Sequence, residues 1–247
     1  MSSIARSTDR LNNFSDGVFG VAATMLIVPV FNLIVDQKSG KKDLLELIQG
    51  DFPRALFIWL ISVAVVGTFW IAHHNILHLV KKWDRWLLWI NTAFLLSVTF
   101  LPVPLAILAH YWVDDGVVKA VRDRAIGVTV YGFAVIVCSF GLFAIWRYMA
   151  RHGELLWDDV NPALFKPVEQ QILTGPRVYV VAIVLAWVPV AVEPVTWVPA
   201  VVDALAWLSV VPSLLIFGGV QVWYMLPGNI DRDAKLRSVA PAASPGE

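Results

Sequence analysis

The sequence predicts an all-α membrane protein with six transmembrane helices per chain. Of its 247 residues, 58% are hydrophobic and 15% are charged, which is too apolar for a soluble domain of this size. Six runs lack Asp, Glu, Lys and Arg, and they are longer than the alternating segments of about ten residues that build a membrane β-barrel. These runs are 17–35, 55–80, 86–113, 125–146, 178–192 and 204–230.

The first three runs are the most regular predicted spans. Run 17–35 begins after Asp16 and covers roughly 30 Å at about 1.5 Å per residue, although Pro29 interrupts the helix near its end. Runs 55–80 and 86–113 are longer and contain no charged residue. Each is therefore expected to cross the membrane once.

The later runs are less uniform. The fifth run, 178–192, is short and contains Pro189, so it needs the long side chain of Arg177 to reach the membrane surface. Before it, the segment 152–176 is predicted to be extramembrane, with a short amphipathic helix that starts at Asn161–Pro162 and lies along the inner surface. Residues 1–230 are thus predicted to form one transmembrane domain, and residues 231–247 a disordered cytoplasmic tail.

Charge and cysteine content exclude several classes of function. Nineteen basic and nineteen acidic residues give no net charge, which argues against nucleic-acid binding. Cys138 is the only cysteine, so neither an intramolecular disulfide nor a cysteine-based metal centre is expected. Six spans put both termini on one side, which carries twelve Lys and Arg against seven on the other. The positive-inside rule therefore predicts cytoplasmic termini.

A stripe of apolar side chains runs along the first predicted helix. At about 100° per residue, Val21, Met25 and Val28 share one side of the helix, away from Asp16, and Asn32 extends the same stripe. Gly17, Gly20 and Thr24 form an adjacent small-residue edge that permits close helix approach. Spacing alone leaves two interpretations open: contact with lipid or neighbouring helices, or an apolar ring that gates a pore by excluding water.

Polar residues in the first three spans are candidates for a second feature. Asp16 needs a partner near the membrane surface, and Trp70, His73 and Asn91 lie in the following two spans. They are interpreted as a hydrogen-bond network between helices, with a proton path as the alternative.

Two other classes of function stay open at this point. His74 and His78 have two-histidine metal spacing but no third ligand at a fixed offset, so a haem or metal protein using His73, His74 and His78 is one alternative. A secondary transporter is the other, although no internal repeat is visible. No metal and no cofactor are expected.

Arg10 is followed after three residues by Phe14, Ser15 and Asp16 at the start of the first predicted helix. This element resembles the signature that opens the first helix in the transmembrane protein 175 family of potassium channels. Trp70 and His73, then Asn91 and the segment 99–102, add to the resemblance, which covers about the first 110 residues.

The resemblance implies a homotetramer whose first helices surround a cation pore without a classical filter loop. The pore constriction would be formed by Val21, Met25 and Val28, with Thr24 and Asn32 as weaker pore-lining residues. The implied structural and gating network consists of Arg10, Phe14, Ser15, Asp16, Trp70, His73 and Asn91. Val21 and Val28 are smaller than the isoleucine and leucine usual at those positions in the family.

The resulting expectation is a potassium channel, not an enzyme, in a prokaryotic plasma membrane. An apolar ring cannot replace an ion's hydration shell, so conduction should require the ring to widen and become wet. Potassium gives up water more easily than sodium does, so weak selectivity for potassium is expected. Caesium or rubidium, and protons along a chain of water molecules, are further expected permeant ions.

Overall fold

The computed structural model describes residues 3–35, 44–49, 51–113, 120–192 and 199–225, and this part of the chain is almost entirely helical. The predicted C-terminal tail, 231–247, lies outside the described residues. The nine α-helices within these ranges are α1 Ser3–Met25, α2 Ile27–Val35, α3 Leu44–Gln49, α4 Asp51–Leu77, α5 Arg85–Phe100, α6 Pro102–Val113, α7 Ala120–Arg151, α8 Phe165–Val192 and α9 Pro199–Met225.

The fold class of an all-α membrane protein is confirmed. Five stretches are long and apolar enough to cross a membrane: Arg10–Asn32, Phe52–Leu77, Arg85–Tyr111, Val121–Arg151 and Phe165–Ala191. The sixth predicted span corresponds to α9, in which Val210–Tyr224 forms a shorter apolar stretch. Helices satisfy their backbone hydrogen bonds internally, which a chain surrounded by hydrocarbon requires.

Prolines divide the first and third spans into two helices each. Pro29 has no N–H to donate to the carbonyl of Met25, and the first span accordingly breaks at Leu26, between α1 and α2. The predicted interruption by Pro29 is thus confirmed. Pro102 has the same effect on the third span, where the N–H of Leu101 donates to the carbonyl of Val98 at 3.1 Å. The predicted third span is nevertheless confirmed, because Arg85–Tyr111 is long and apolar enough to cross a membrane.

The segment before the fifth span also differs from the prediction. Asn161 begins the helical region as expected, because its side chain accepts a hydrogen bond from the N–H of Ala163. A short 3₁₀ turn, Pro162–Leu164, then leads directly into α8, which continues through Pro176 to Val192. The short amphipathic surface helix was therefore a wrong prediction. Pro176 has no N–H to donate to the carbonyl of Ile172, and a membrane helix tolerates such a proline where neighbouring groups satisfy the freed backbone. The Tyr224 hydroxyl donates to the adjacent carbonyl of Gln171.

Helix α7 is the central element of the bundle and packs against α5, α6, α8 and α9. The backbones of α5 and α7 approach closely at Gly141, where an added Cβ would lie 2.9 Å from Phe94 Cδ2. Helix α1 packs against α4 and α5, and α2 packs against α4 and α6. The first span is thus fixed on one side by the second and third spans.

The connection between α4 and α5 is joined to the end of α7. Asp84 caps α5 by accepting the N–H of Leu87 at 2.7 Å, and it also accepts a hydrogen bond from the hydroxyl of Tyr148. Burial alone would raise the pKa of Asp84, but these two hydrogen bonds lower it below its ordinary value. Lys81, close by in sequence, pairs with Asp158 at 3.0 Å. These contacts fix one end of the bundle.

Candidate functional site: the first helix and its polar contacts

The side of α1 that packs on the bundle is sharply defined. Phe19, Ala22 and Leu26 are buried, and they recur at three- and four-residue intervals on the side that contacts α4 and α5. None of the stripe residues Val21, Met25 and Val28 lies on this buried side. Burial therefore fixes the rotation of the first helix about its own axis.

The predicted constriction residues, Val21 and Met25 on α1 and Val28 on α2, lie on the opposite side of the first span. Val21, Met25 and Val28 are 56%, 52% and 43% exposed in the single chain. Thr24 and Asn32 are exposed as well. The five residues assigned to a pore lining therefore share a surface that the chain itself does not cover.

The small-residue edge beside this stripe is also uncovered. A Cβ added at Gly17 or Gly20 would meet nothing within 4 Å, so no helix of the same chain approaches there. The hydroxyl of Thr24 donates to the carbonyls of Gly20 and Val21 at 3.1 and 2.9 Å. Its oxygen lone pairs stay available on the exposed side.

Asp16 finds a partner on the second span, as the sequence required. The indole Nε1 of Trp70 donates to Asp16 Oδ1 at 2.9 Å, linking α1 to α4. His74 Nδ1 lies 4.0 Å from the same oxygen. The carboxylate is half-buried, so this direct hydrogen bond offsets part of the cost of removing it from water.

A second, fully buried group joins three helices. Asn91 on α5 contacts His73 Nε2 through its Oδ1 at 2.7 Å and donates from Nδ2 to the hydroxyl of Ser15 on α1 at 3.3 Å. The ring of His73 stacks on Phe94 with centroids 5.2 Å apart, and Phe19 lies against both rings. The group therefore crosslinks the first three spans inside an aromatic shell.

The structure brings together five of the seven residues assigned to the polar network. Ser15, Asp16, Trp70, His73 and Asn91 form the two groups just described, whereas Arg10 and Phe14 are exposed on α1. A role for those two residues depends on an assembly and stays a prediction.

Sequence analysis missed some of the residues that support this site. Phe19 and Phe94 enclose His73, and Asp84 and Tyr148 join two helix ends. The position of Asp84 just before an apolar run was a helix-start signal that could have been recognised. The two phenylalanines carried no comparable signal, because any apolar helix contains such residues.

The three histidines of the alternative metal or haem site divide into two environments. His73 is buried in the network, whereas His74 and His78 contact each other near the surface. Within the described ranges, no group of three or more His, Cys, Asp or Glu side chains is arranged to hold a metal ion.

Comparison with known proteins gives consistent similarities. Residues 10–102 match the family described as "Endosomal/lysosomal potassium channel TMEM175". A protein from Streptomyces collinus named as a potassium channel is 27% identical over 179 residues, which cover 72% of this chain and 82% of that protein. A protein from Chamaesiphon minutus, also named as a potassium channel, is 28% identical over 186 residues, which cover 74% of this chain and 86% of that protein.

The bovine endosomal/lysosomal proton channel TMEM175 is 29% identical over 158 residues, which cover 61% of this chain but only 31% of that protein. Among solved structures, the fold matches the crystal structure of a lysosomal potassium-selective channel TMEM175 homologue from Chamaesiphon minutus. The TM-score is 0.57 at 23% identity, and the match covers 87% of this chain and 98% of that one. The expected fold and family resemblance are therefore confirmed.

Proposed function

We propose that the chain is a member of the TMEM175 family and that it forms a homotetrameric potassium channel whose pore is lined by the first helix. The observation that carries this proposal is the uncovered apolar stripe of Val21, Met25 and Val28 along a span, α1 and α2, whose other side packs on the bundle. Two relatives matched over most of their length are named as potassium channels. The match to named channels favours this function over a transporter or a haem protein.

The exposed side of α1 supports assembly around a common axis. In lipid, small residues favour contact between helices because backbones can approach closely, and Gly17 and Gly20 have open space beside them. A closed symmetric assembly would bring identical stripes together at its centre. Four copies give the arrangement that the family resemblance implies.

The proposed gate works through hydration of the pore. Valine and methionine side chains offer an ion no oxygen ligand, so a narrow ring of them excludes both water and ions. Conduction begins when the ring widens enough to hold water. Potassium loses part of its hydration shell more easily than sodium, which gives modest selectivity, and a continuous water chain also provides a route for protons. Permeant potassium ions are the proposed ligands of the pore, and no resident cofactor is proposed for conduction.

Thr24 and Asn32 are proposed as the polar groups that ions meet beside the ring. Both are exposed on the uncovered side of the first span. The hydroxyl proton of Thr24 is used within its own helix, so its oxygen can present lone pairs to a passing cation. Asn32 lies beyond Val28 along the span and can help restore hydration.

The proposed setting is a prokaryotic plasma membrane with both termini in the cytoplasm. The end that carries Lys81, Arg85 and Arg147 would then face inward, in agreement with the positive-inside rule. The pair of Lys81 with Asp158 and that of Arg147 with Glu169 would lie at this inner surface.

The decisive experiment measures potassium flux through reconstituted liposomes that contain the Val21→Asn variant. A polar amide in the ring favours wetting, so basal potassium flux is expected to rise several-fold over that of the unmodified protein. The matched control is Val184→Asn, which changes an exposed valine on α8 rather than on α1. Unchanged potassium flux in Val21→Asn, or an equal increase in Val184→Asn, would contradict the assignment of Val21 to the constriction.

A further inference from the structure

Two histidines at the end of α4 form a pair that the proposed channel mechanism does not use. His74 lies in the last turn of α4, and His78 follows its final residue, Leu77. Their Nε2 atoms are 2.9 Å apart, and the rings meet edge to face with centroids 4.3 Å apart. His78 is exposed and His74 is half-buried, so solutes can reach the pair.

The spacing of the two nitrogens matches a particular coordination geometry. An imidazole nitrogen binds a transition metal at about 2.0–2.1 Å, so two such ligands at a right angle are separated by about 2.9 Å. Tetrahedral ligands at the same bond length would lie about 3.4 Å apart. The observed contact of 2.9 Å is a hydrogen bond in which one imidazole N–H donates to the other Nε2, so a bound ion would take the place of that proton. With the proton removed, the same separation is compatible with adjacent ligands of a tetragonal ion, the geometry preferred by Cu²⁺ and Ni²⁺.

The ring of His74 is oriented with Nε2 toward His78 and Nδ1 toward α1. Metal-binding histidines commonly have a carboxylate beside their second ring nitrogen. His74 Nδ1 lies 4.0 Å from Asp16 Oδ1, which is longer than a direct hydrogen bond, and that oxygen accepts from the indole of Trp70. The carboxylate therefore places a negative charge near the pair without using either Nε2 atom.

We propose that His74 and His78 bind one Cu²⁺ or Ni²⁺ ion per chain through their Nε2 atoms, with water in the remaining positions. Two ligands give a weaker site than three or four, so binding is reversible and competes with protons on the imidazoles. Cu²⁺ binds more tightly than Ni²⁺, and Zn²⁺ less tightly than Cu²⁺, because both the affinity series and the geometry favour copper. The site is independent of whether the chain conducts potassium.

The test is a titration of the full chain with Cu²⁺ and Ni²⁺. Protein without a histidine tag is purified in detergent, and binding is measured by calorimetry together with the electron paramagnetic resonance spectrum of Cu²⁺. We expect one ion per chain and nitrogen splitting from two imidazoles. His78→Gln is expected to weaken Cu²⁺ binding at least tenfold, and His74→Gln provides a second variant with the same expected loss.

The matched control is His110→Gln, which removes an exposed histidine at the other end of the third span. It should bind Cu²⁺ as the unmodified protein does. Gel filtration without metal checks that each variant keeps its assembly. The proposal would be overturned if His74→Gln and His78→Gln both bound Cu²⁺ as tightly as the unmodified protein. It would also be overturned if His110→Gln lost as much Cu²⁺ affinity as they do. Neither result would bear on potassium flux.

Discussion

Trp70 on α4 donates its indole N–H to the carboxylate of Asp16 on α1 at 2.9 Å, across 54 residues of sequence. Asp16 lies on the helix that carries the exposed apolar stripe, and Trp70 lies on a helix that packs against it. The contact therefore sets the position of α1 relative to the bundle. Any movement of α1 that opens or closes a ring of its side chains must keep or break this hydrogen bond.

Replacing Trp70 with phenylalanine tests this contact. Trp70→Phe keeps an aromatic ring but removes the donor to Asp16 Oδ1, and hydrogen bonds to charged groups contribute about 1.5–3 kcal/mol. Thermal unfolding can be monitored by gel filtration. We expect a lower unfolding midpoint and less assembled protein than for the unmodified chain. Trp86→Phe, at an exposed position on α5, is the control and should change little. Equal midpoints for the two variants would show that the indole N–H does not stabilise α1.

The buried contact between Ser15 and Asn91 can be measured with a double-mutant cycle. Ser15→Ala and Asn91→Ala each remove one side of a hydrogen bond between α1 and α5. Such bonds in membrane bundles contribute about 0.6 kcal/mol on average and up to about 1.7 kcal/mol. The single variants should therefore be non-additive by about this amount in free energy of unfolding.

Asn91→Ala should cost more than Ser15→Ala, because Asn91 also contacts His73. Thr92→Ala is the control, since the hydroxyl of Thr92 donates only within its own helix, to the carbonyl of Leu88. If the changes in free energy of unfolding caused by Ser15→Ala and Asn91→Ala are additive in the double variant, the two side chains are not energetically coupled.

Gly141 is predicted to tolerate no side chain. A Cβ there would lie 2.9 Å from Phe94 Cδ2 and 3.3 Å from Phe94 Cα, and the Cα belongs to a backbone that cannot move independently. Gly141→Ala should lower the free energy of unfolding by about 1–3 kcal/mol, the usual cost of overpacking. It should also disturb the stack of Phe94 on His73.

Gly219→Ala on α9 provides the comparison, because its added Cβ would meet nothing within 4 Å. Alanine has a higher helix propensity than glycine, so the stability of this variant should be unchanged or slightly increased. Thermal unfolding of the two variants in the same detergent gives the measurement. A Gly141→Ala protein as stable as Gly219→Ala would mean that α5 and α7 are not in close contact.

Asp84 is predicted to make stability depend on pH in the acid range. Its pKa is lower in the folded chain than the unfolded value of about 3.9, so its contribution is complete above that value and is lost as pH falls through the folded pKa. Asp84→Ala removes the cap of α5 and should cost about 0.5–2 kcal/mol near neutral pH.

The difference between the unmodified protein and Asp84→Ala should shrink as pH falls below about 4, because the carboxylate then becomes protonated. Unfolding midpoints measured from pH 7 to pH 3 provide the test. Asp159→Ala, at an exposed position in the same region, is the control and should unfold with nearly the midpoint of the unmodified protein at pH 7. A constant difference across the range would contradict a role for the charge of Asp84.

Parts of the fold could be predicted because each depends on a single span. Apolar runs gave the spans, and the cap at Asn161 marked the helical region that leads into α8. The passage of α8 through Pro176 could not be predicted, because a proline normally ends a helix in water and is tolerated here only where other groups satisfy the backbone. The close approach of Gly141 to Phe94 likewise depends on two distant segments.

The sequence by itself determined that this is a membrane protein, that Val21, Met25 and Val28 recur on one side of the first span, and that Asp16 needs a partner. These follow from hydropathy and helical periodicity, which are local properties of the chain. Only the tertiary structure decided that Trp70 is that partner, that Asn91 joins Ser15 to His73, and that Arg10 and Phe14 stay exposed. Side chains on different helices meet according to how those helices rotate and pack, and packing is a property of the whole bundle.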